Sequence, residues 1–494
     1  MIALFSALPL LGAFIISLLG RYYRKLSDII ANLVTFILCL LSFYSLLSLK
    51  DILVYKVGGW HPPFGISLVL DGLSVFMLLT VNLVSFMISL YSINYMEKYT
   101  AKYKFYTLFL LLLAGMNGVI IAGDIFNLFV FLEIASVSSY ALVAYGVEKE
   151  ELEAAFKYLV MSSVASLFIL LGIAFLYSYT STLNMADIAS ILLNKGINKS
   201  VIFATILFIS GFGLKAAIIP FHAWLPDAHP SAPAPISATL SGILIKTLGI
   251  YALMRIFYNI LGTDSLFLKT LMILGTISLI AGAISALGQI DIKRMLAYSS
   301  INQIGYIILG LGLGTPLGIL GALFHLFNHS IFKSLLFLNA GSIEYATGSR
   351  NLKELKGLRE KMPITANTSL IASMSISGIP PFNGFFSKLI IVLACIQKNH
   401  FVYAFWAILG SILTLAYFAK LQSCTFFGKL PQNFKNIKEV PFFMKTTMII
   451  LSLICIFGGT LLVPKAKNYF LKPAEEILAK GRNYKNINLL VNEK

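Results

Sequence analysis

The sequence predicts an all-α integral membrane protein with about 14 transmembrane helices, two of which are broken. The first observation is composition: 58% of the 494 residues are hydrophobic and 12% are charged, about half the charged fraction of an ordinary soluble domain. The second is that apolar runs of roughly 20 residues, enough to cross a bilayer as a helix, recur along the chain. Helices satisfy their own backbone hydrogen bonds in lipid, so these runs predict a many-spanning bundle.

The first apolar run, Ile2 to Leu19, follows neither a charged region nor a small-residue cleavage site. We therefore expect a retained span rather than a cleaved signal. With the basic loop around Arg21 and Lys25 on the cytoplasmic side, both chain termini would face outward. The predicted spans are residues 2 to 20, 28 to 49, 71 to 95, 104 to 122, 124 to 146, 155 to 178, 201 to 224, 232 to 260, 267 to 288, 293 to 313, 316 to 345, 364 to 399, 402 to 427 and 443 to 464.

Prolines interrupt two of the spans, in GLKAAIIPFHAWLPDAHPSAPAP (Gly213 to Pro235) and SGIPPFNGFFSKL (Ser377 to Leu389). Proline breaks the intrahelical hydrogen-bond ladder. Broken helices at corresponding places in two halves indicate an inverted-repeat transporter with its working site at the breaks. The predicted division is helices 1 to 3 in residues 1 to 103, two inverted five-helix repeats in 104 to 260 and 261 to 427, and a last helix with a short polar tail in 428 to 494.

The cysteine and charge patterns argue against several other classes of protein. Four cysteines are scattered singly without a CxxC pair, so neither a metal cage nor an iron–sulfur cluster is indicated. The formal charge is +17, but the basic residues lie in short loops rather than in one patch with aromatics, which favours membrane orientation over nucleic-acid binding. No Rossmann glycine pattern is present, and we expect no cofactor.

Ionisable residues inside the apolar runs are the candidate site, because each costs a few kcal/mol or more unless it is paired or hydrated. Glu133 has no lysine close in sequence, so its partner must come from another helix. Lys215 lies five residues before Pro220, where the break can admit water beside the side chain. Lys246, in mid-span, could take a proton onward, and Lys388, which follows the second break, could be the exit group. Purely structural ion pairing and an ordinary lysine near a helix end are the alternatives.

The segment HLFNHSIFK places His325, His329 and Lys333 at successive i+4 steps, so all three line one stripe of one helix. We interpret this polar file as a proton relay. Buried hydrogen-bonded histidines are one alternative. A zinc site is another, but it lacks a nearby third ligand, and the cationic lysine disfavours it.

Four further residues flank the buried stations. His222, Asp227 and His229 lie around the first break near a loop, and they could serve either as an entrance or structurally. Asp124 and the carbonyls of the broken helices are conceivable oxygen ligands for sodium. The mechanism that we predict is an electrostatic relay, in which a proton on one buried lysine repels the next and changes its separation from Glu133.

Five ordered motifs, spread over about Trp60 to Lys429, carry a family resemblance: FNLFVFLEI, GLKAAIIPFHAWLPDAHPSAPAPISA, KRMLAYSSINQIGYIILG, HLFNHSIFKSLLFLNAGSI and SGIPPFNGFFSK. Together they resemble the antiporter-like subunits shared by respiratory complex I, membrane-bound hydrogenases and multisubunit Mrp cation/proton antiporters. The resemblance implies a 14-helix fold with inverted repeats, proton translocation and no cofactor. It places the proton stations at Glu133, Lys215, Lys246, His325, His329, Lys333 and Lys388.

In length and in the sequences of its motifs, the chain is most similar to the D-type subunit of an Mrp sodium/proton antiporter. The equivalent hydrogenase subunit is the second most similar. The resemblance implies other membrane subunits as partners, protons and sodium as the ions, and a multi-pass location in the cell membrane. Two rival classes are a subunit that itself binds quinone or a redox centre, and a passive scaffold. Several costly buried charges argue against the scaffold.

Overall fold

The computed structural model describes residues 1–482, and it is helical almost throughout. The predicted polar tail therefore lies partly outside the described residues. The helices are α1 Leu4–Leu19, α2 Arg24–Ser48, α3 Gly72–Tyr95, α4 Lys102–Ile121, α5 Ile125–Val143, α6 Lys149–Thr180, α7 Met185–Lys195, α8 Lys199–Lys215, α9 Leu225–Ser231, α10 Ala234–Leu261, α11 Ser265–Leu287, α12 Ile292–Gly312, α13 Pro316–Thr347, α14 Pro363–Ser377, α15 Asn383–Gln397, α16 Phe401–Phe426, α17 Phe442–Phe457, α18 Pro464–Phe470 and α19 Lys472–Ala479.

Ten helices among the described residues are long and apolar enough to cross a membrane, and two of them stand apart by their burial. The most apolar windows of α10 and α13 are buried over their whole length, whereas those of α2, α6 and α16 are mostly uncovered. The bundle is thus built around α10 and α13, and its outer helices present leucine, isoleucine and phenylalanine side chains to the surroundings.

Some elements have no counterpart among the predicted spans. Strands β1 (Leu53–Lys56) and β2 (Ser67–Leu70) pair antiparallel between α2 and α3. Helix α7 and the C-terminal helices α18 and α19 are too short to span a bilayer. These are connecting segments, so a hydropathy window designed to find spans passes over them.

The predicted start of the span at residue 155 is six residues late. Helix α6 begins at Lys149 because Glu148 and Glu151 form a capping box. The Glu148 side chain accepts the backbone N–H of Glu151, and the Glu151 side chain accepts the backbone N–H of Glu148. Acidic residues in the first turn also complement the positive end of the helix dipole. The acidic residues before the predicted span are therefore the capped beginning of the helix.

Both proline-containing segments break where the sequence predicts. Helix α8 ends at Lys215 and α9 begins at Leu225, while α14 ends at Ser377 and α15 begins at Asn383. Gly378, directly after α14, has φ +80°, a left-handed conformation that glycine adopts without steric cost. Each break therefore leaves one lysine, Lys215 or Lys388, at or near a helix end.

Helix α10 departs from regular α-helical geometry along most of its length. Its π-helical stretches are Leu240–Leu244, Lys246–Tyr251 and Arg255–Leu261. Such stretches are rare, usually last a single turn and are frequent at functional sites. They occur here in the buried helix that carries Lys246.

A buried ion pair joins α10 to the start of α3. Asp71 is 0% exposed, and its two carboxylate oxygens accept hydrogen bonds of 2.5 and 2.7 Å from the guanidinium of Arg255. Arg255 also donates to Ser74 and to the Tyr251 hydroxyl. Sequence reasoning assigned no role to this pair, because Asp71 stands at a span boundary and Arg255 close to a helix end.

Candidate functional site

The first predicted station joins Glu133 of α5 to Lys215 at the end of α8. The Lys215 Nζ lies 3.7 Å from a Glu133 carboxylate oxygen, 2.8 Å from the Ser136 hydroxyl and 2.6 Å from the Ser162 hydroxyl. The two serine hydroxyls accept hydrogen bonds from the ammonium group, and the more distant Glu133 carboxylate attracts its charge. The structure thus supplies the partner from another helix that the isolated Glu133 required.

Exposure differs sharply between the two members of this ion pair. The side chain of Lys215 is 3% exposed, whereas that of Glu133 is 33% exposed, and Glu133 also accepts a hydrogen bond from Ser166. The hydroxyl groups of Ser136, Ser162 and Ser166 were missed in the sequence. The signal was present as serines three residues after Glu133 and four residues apart on the next helix.

Lys246 is completely buried in α10 and donates a hydrogen bond to the carbonyl oxygen of Ser241. Its helix packs directly against the first break, because a Cβ at Gly249 would come within 2.5 Å of the Ala216 side chain. A narrow cavity beside Lys215 is lined by Tyr158, Trp224 and residues of α10. The first and second lysines therefore lie on adjoining backbone segments.

The predicted polar file of α13 is entirely inside the bundle. His325, His329 and Lys333 are each 0% exposed, and the two imidazole rings are nearly parallel with centroids 6.3 Å apart. No hydrogen-bond partner lies within reach of the His329 ring nitrogens or of the Lys333 Nζ among the described residues. Lys333 instead lies 5.7 Å from the Phe337 ring centroid.

Lys246 lies near enough to these buried side chains to interact with them electrostatically. Its charge acts on four other ionisable side chains, which are His229, His325, His329 and Lys333. Helices α10 and α13 also approach closely, since a Cβ at Gly242 would collide with the Ser334 hydroxyl. Addition of a proton at Lys246 is therefore felt along the whole file.

Lys388 lies one turn into α15, after the second break, and is 4% exposed. Its Nζ is 4.7 Å from the Tyr306 ring centroid, a cation–π contact. The neighbouring Ser387 hydroxyl is 2.9 Å from the Nδ1 of His325. The alternative of an ordinary lysine at a helix end does not fit this burial.

The three residues around the first break differ in their burial. Asp227 pairs at the surface with Lys157 and Arg294, at 3.4 and 3.5 Å. His229 is 0% exposed and stacks on the Phe337 ring at 4.5 Å, with no hydrogen-bond partner for its ring nitrogens in residues 1–482. His222 is only half-buried at the first break.

Asp124 is separate from this group. It caps α5 by accepting the backbone N–H groups of Phe126 and Asn127 at 2.9 and 2.8 Å. Burial raises the pKa of its carboxyl, and these two hydrogen bonds oppose that rise. The geometry of Asp124 is thus accounted for by helix capping.

A second ion pair near the first break, formed by a buried lysine and a partly exposed glutamate, was also missed in the sequence. Lys293 at the start of α12 is 2% exposed and lies 2.8 Å from the Glu344 carboxylate near the end of α13. It also donates to the carbonyl of Ala232, in the turn between α9 and α10. Within residues 1–482, no group of three or more histidine, cysteine, aspartate or glutamate side chains is placed to hold a metal ion.

Comparison with known proteins assigns the chain to a family. A family model described as NADH:quinone oxidoreductase/Mrp antiporter, TM, matches residues 122–414, which is more than half of the chain. The chain belongs to this family. A second model, described as NADH-Ubiquinone oxidoreductase (complex I), chain 5 N-terminus, matches residues 56–106 of this family member.

Relatives within the NADH:quinone oxidoreductase/Mrp antiporter family come from both of its branches. The D-type subunit of the Na(+)/H(+) antiporter of Alkalihalophilus pseudofirmus is 34% identical over 484 residues, covering 95% of this chain and 96% of the relative. The N-type subunit of the NADH-quinone oxidoreductase of Desulforudis audaxviator is 39% identical over 383 residues, or 76% of each chain. The sequence prediction of the family is confirmed.

Solved structures agree over nearly the whole length. A chain of the Mrp complex from Dietzia sp. aligns with a TM-score of 0.89 and 27% identity, covering 99% of both chains. A chain of the membrane-bound sulfane sulfur reductase, an archaeal respiratory membrane complex, aligns with a TM-score of 0.90 and 33% identity, covering 98% of this chain and 99% of the other. This family fold is therefore shared between an antiporter complex and a respiratory one.

Proposed function

We propose that this protein is the proton-translocating subunit of a multisubunit Na⁺/H⁺ antiporter of the cell membrane. The observation that carries the proposal is the pairing of Lys215 with Glu133 at the end of a broken helix inside the bundle. The D-type antiporter subunit of Alkalihalophilus pseudofirmus, which is similar over almost the full length, supports it. The chain would act as a transporter subunit rather than as a catalytic enzyme.

Protons would move through Glu133, Lys215, Lys246, His325, His329, Lys333 and Lys388. A proton on Lys215 is stabilised by the Glu133 carboxylate and by two serine hydroxyls. When a proton reaches Lys246, its charge disfavours further protonation of the α13 file and pushes the next proton towards Lys388. His222, Asp227 and His229, around the first break, would form the entrance.

We also propose that the chain has 14 transmembrane helices and two inverted five-helix repeats, in residues 104 to 260 and 261 to 427. Each proposed repeat contains one helix broken at proline, with a lysine at the break. Lys215 ends the first part of its broken helix and Lys388 lies in the second part of the other. Broken helices at corresponding places in the two halves support this architecture.

A second candidate function is the ion-pumping arm of a redox-driven complex. The similarity to the NADH-quinone oxidoreductase subunit of Desulforudis audaxviator and to the archaeal sulfane sulfur reductase chain favours it. The same lysine relay would serve in both cases, because the energy source would lie in other subunits. The two candidates differ in partners rather than in the chemistry of this chain.

Purification and reconstitution distinguish the two candidates. The tagged chain is purified with its partners from native membranes in mild detergent, and the complex is placed in proteoliposomes with a pH-sensitive dye inside. We expect small membrane subunits without iron–sulfur absorbance, and a pH change driven by a Na⁺ gradient. Redox subunits with pH change only on addition of an electron donor would assign the chain to a respiratory complex.

Replacement of Glu133 by glutamine should slow Na⁺-driven proton flux about tenfold, equivalent to about 1.4 kcal/mol. The effect is moderate because the ion pair is 3.7 Å long and its carboxylate is one-third exposed, which weakens the attraction. Glu153→Gln, in a surface pair with Lys157, is the matched control and should leave the flux unchanged. Equal flux in both variants would remove Glu133 from the pathway.

The passive-scaffold alternative predicts a different result. The double variant Glu133→Gln with Lys215→Met removes the first station completely, so the proposed function requires flux to fall to the background of empty vesicles. A complex that assembles with this variant and still transports protons at the normal rate would identify the chain as a scaffold.

A further inference from the structure

A buried polar cluster on α12 stands outside the proposed relay but is hydrogen-bonded to it. Asn302, Gln303 and Ser299 of α12 contact Thr414 and Tyr417 of α16, and all five side chains are buried. Helices do not need such groups for packing, and each costs free energy in a membrane unless it is satisfied. The cluster ends on one relay station, His325.

The amide of Asn302 has a fixed orientation. Its Nδ2 donates to the backbone carbonyl oxygen of Leu279 at 2.6 Å, and a carbonyl oxygen can only accept. The Oδ1 atom therefore points the other way, towards the Thr414 hydroxyl at 3.1 Å, the Tyr417 hydroxyl at 3.4 Å and the Gln303 amide. A flipped amide would set two oxygen acceptors against each other at Leu279.

The orientation of the Asn302 amide determines that of the Gln303 amide. Because the Asn302 Oδ1 is an acceptor, the Gln303 atom next to it must be the donor Nε2. The other end of the Gln303 amide, Oε1, then faces the His325 Nε2 at 3.2 Å. An amide oxygen accepts only, so the His325 Nε2 must carry a hydrogen.

The second ring nitrogen of His325 has a partner of a different kind. Its Nδ1 lies 2.9 Å from the Ser387 hydroxyl, which can donate to the ring or, alternatively, to the Gly384 carbonyl at 3.0 Å. A hydroxyl both donates and accepts, so it tolerates either protonation state of Nδ1. Ser387 is next to Lys388, at the beginning of α15.

We propose that Gln303 and Asn302 are positioning residues that hold His325 in the tautomer with its hydrogen on Nε2. Proton exchange at this station is thereby confined to Nδ1, on the side of Ser387 and α15. The proposal rests on the proposed relay function and adds a direction to one of its steps. A histidine free to change tautomer could pass a proton back through Nε2 into the α12 cluster.

The neighbouring histidine of the file, His329, has a different environment from His325. Neither ring nitrogen of His329 has a hydrogen-bond partner among the described residues, so no comparable constraint acts on it. The two rings are nearly parallel on the same helix, and they differ in what surrounds them. Tautomer control therefore applies to the histidine that touches the second broken helix.

Nitrogen NMR on the intact complex tests the proposal directly. The complex is labelled with ¹⁵N-histidine and reconstituted in bilayers, where protonated and unprotonated ring nitrogens give well-separated signals. His325 is assigned by comparison with His325→Gln. In the unmodified complex at alkaline pH, we expect one His325 tautomer, with hydrogen on Nε2. A signal from hydrogen on Nδ1, or an equal mixture, would overturn the proposal.

A variant then tests whether Gln303 causes the preference. Gln303→Leu should give a mixture of His325 tautomers and reduce proton flux about fivefold to tenfold, as expected for loss of one buried hydrogen bond. The matched control is Gln422→Leu, because Gln422 is a buried glutamine whose amide contacts only Ser369 and Ser373 in the described residues. The control should keep a single tautomer and normal flux.

The same data separate this proposal from the proposed function. A single Nε2-protonated tautomer in Gln303→Leu would show that Gln303 does not position the ring, whatever the flux. Normal proton flux in His325→Gln would instead remove His325 from the relay, and with it the proposed transport role of this tautomer.

Discussion

Replacement of Lys246 by methionine should reduce Na⁺-driven proton flux by about a hundredfold or more, because methionine cannot carry a proton. Lys246 interacts electrostatically with three other proposed stations, His325, His329 and Lys333. It lies on the buried helix between the first break and the α13 file. Loss of the station should interrupt every route through the chain. Flux is measured in proteoliposomes with the complex purified from each variant.

The same variant should be at least as stable as the original protein. A buried charge carries a desolvation cost, and replacement of whole buried ion pairs by apolar side chains of similar volume is often neutral or stabilising by about 1–4 kcal/mol. Loss of flux together with an equal or higher unfolding temperature would separate a functional lysine from a structural one. The matched control is Lys420→Met, which removes hydrogen bonds to Leu287 and Gln289 near the end of α11 and leaves the relay intact.

A Lys246→Met complex that unfolds earlier and still transports protons would assign the lysine a structural role. A Lys420→Met complex that also loses transport would show that lysine removal anywhere in the bundle is disruptive. Either result would contradict the prediction.

Replacement of Asp71 by asparagine should destabilise the protein by about 3–5 kcal/mol, the usual cost of removing one partner from a buried ion pair. The Arg255 guanidinium would keep its charge in a site where Asp71 is 0% exposed, and its bidentate carboxylate partner would be lost. The measurement is thermal unfolding of the purified complex in detergent.

Two further variants make the Asp71 result specific. Asp291→Asn, in a partly exposed pair with Arg350 at 3.4 Å (28% and 31% exposed), should cost less than about 1 kcal/mol. The double variant Asp71→Leu with Arg255→Met should recover most of the stability, because it leaves no unpaired charge. Equal losses in the Asp71 and Asp291 variants would show that burial does not govern this pair.

The positions of most helices and of both breaks could be predicted from the sequence, because each depends on a local pattern of residues. Apolar runs placed the helices to within a few residues, apart from the capped start of α6. The prolines correctly placed both breaks, and i+4 spacing correctly placed His325, His329 and Lys333 on one buried stripe. The family motifs were confirmed by comparison.

What could not be predicted depends on contacts between helices distant in sequence. Ser162 is 53 residues from Lys215, and Arg255 is 184 residues from Asp71. A polar residue in an apolar run reveals that it needs a partner but does not identify that partner. The roles of the individual stations stay predictions until the variants are measured.

The exposed third of the Glu133 side chain also bears on how the newly made chain assembles with other subunits. An ionisable group among membrane-spanning helices is costly unless it is paired or hydrated, so the uncovered part of Glu133 requires water or a polar neighbour at this face of α5. Any neighbour that covers this face with a polar or cationic group removes the penalty. We therefore expect Glu133 to favour association with a partner subunit in addition to its role in the proposed relay.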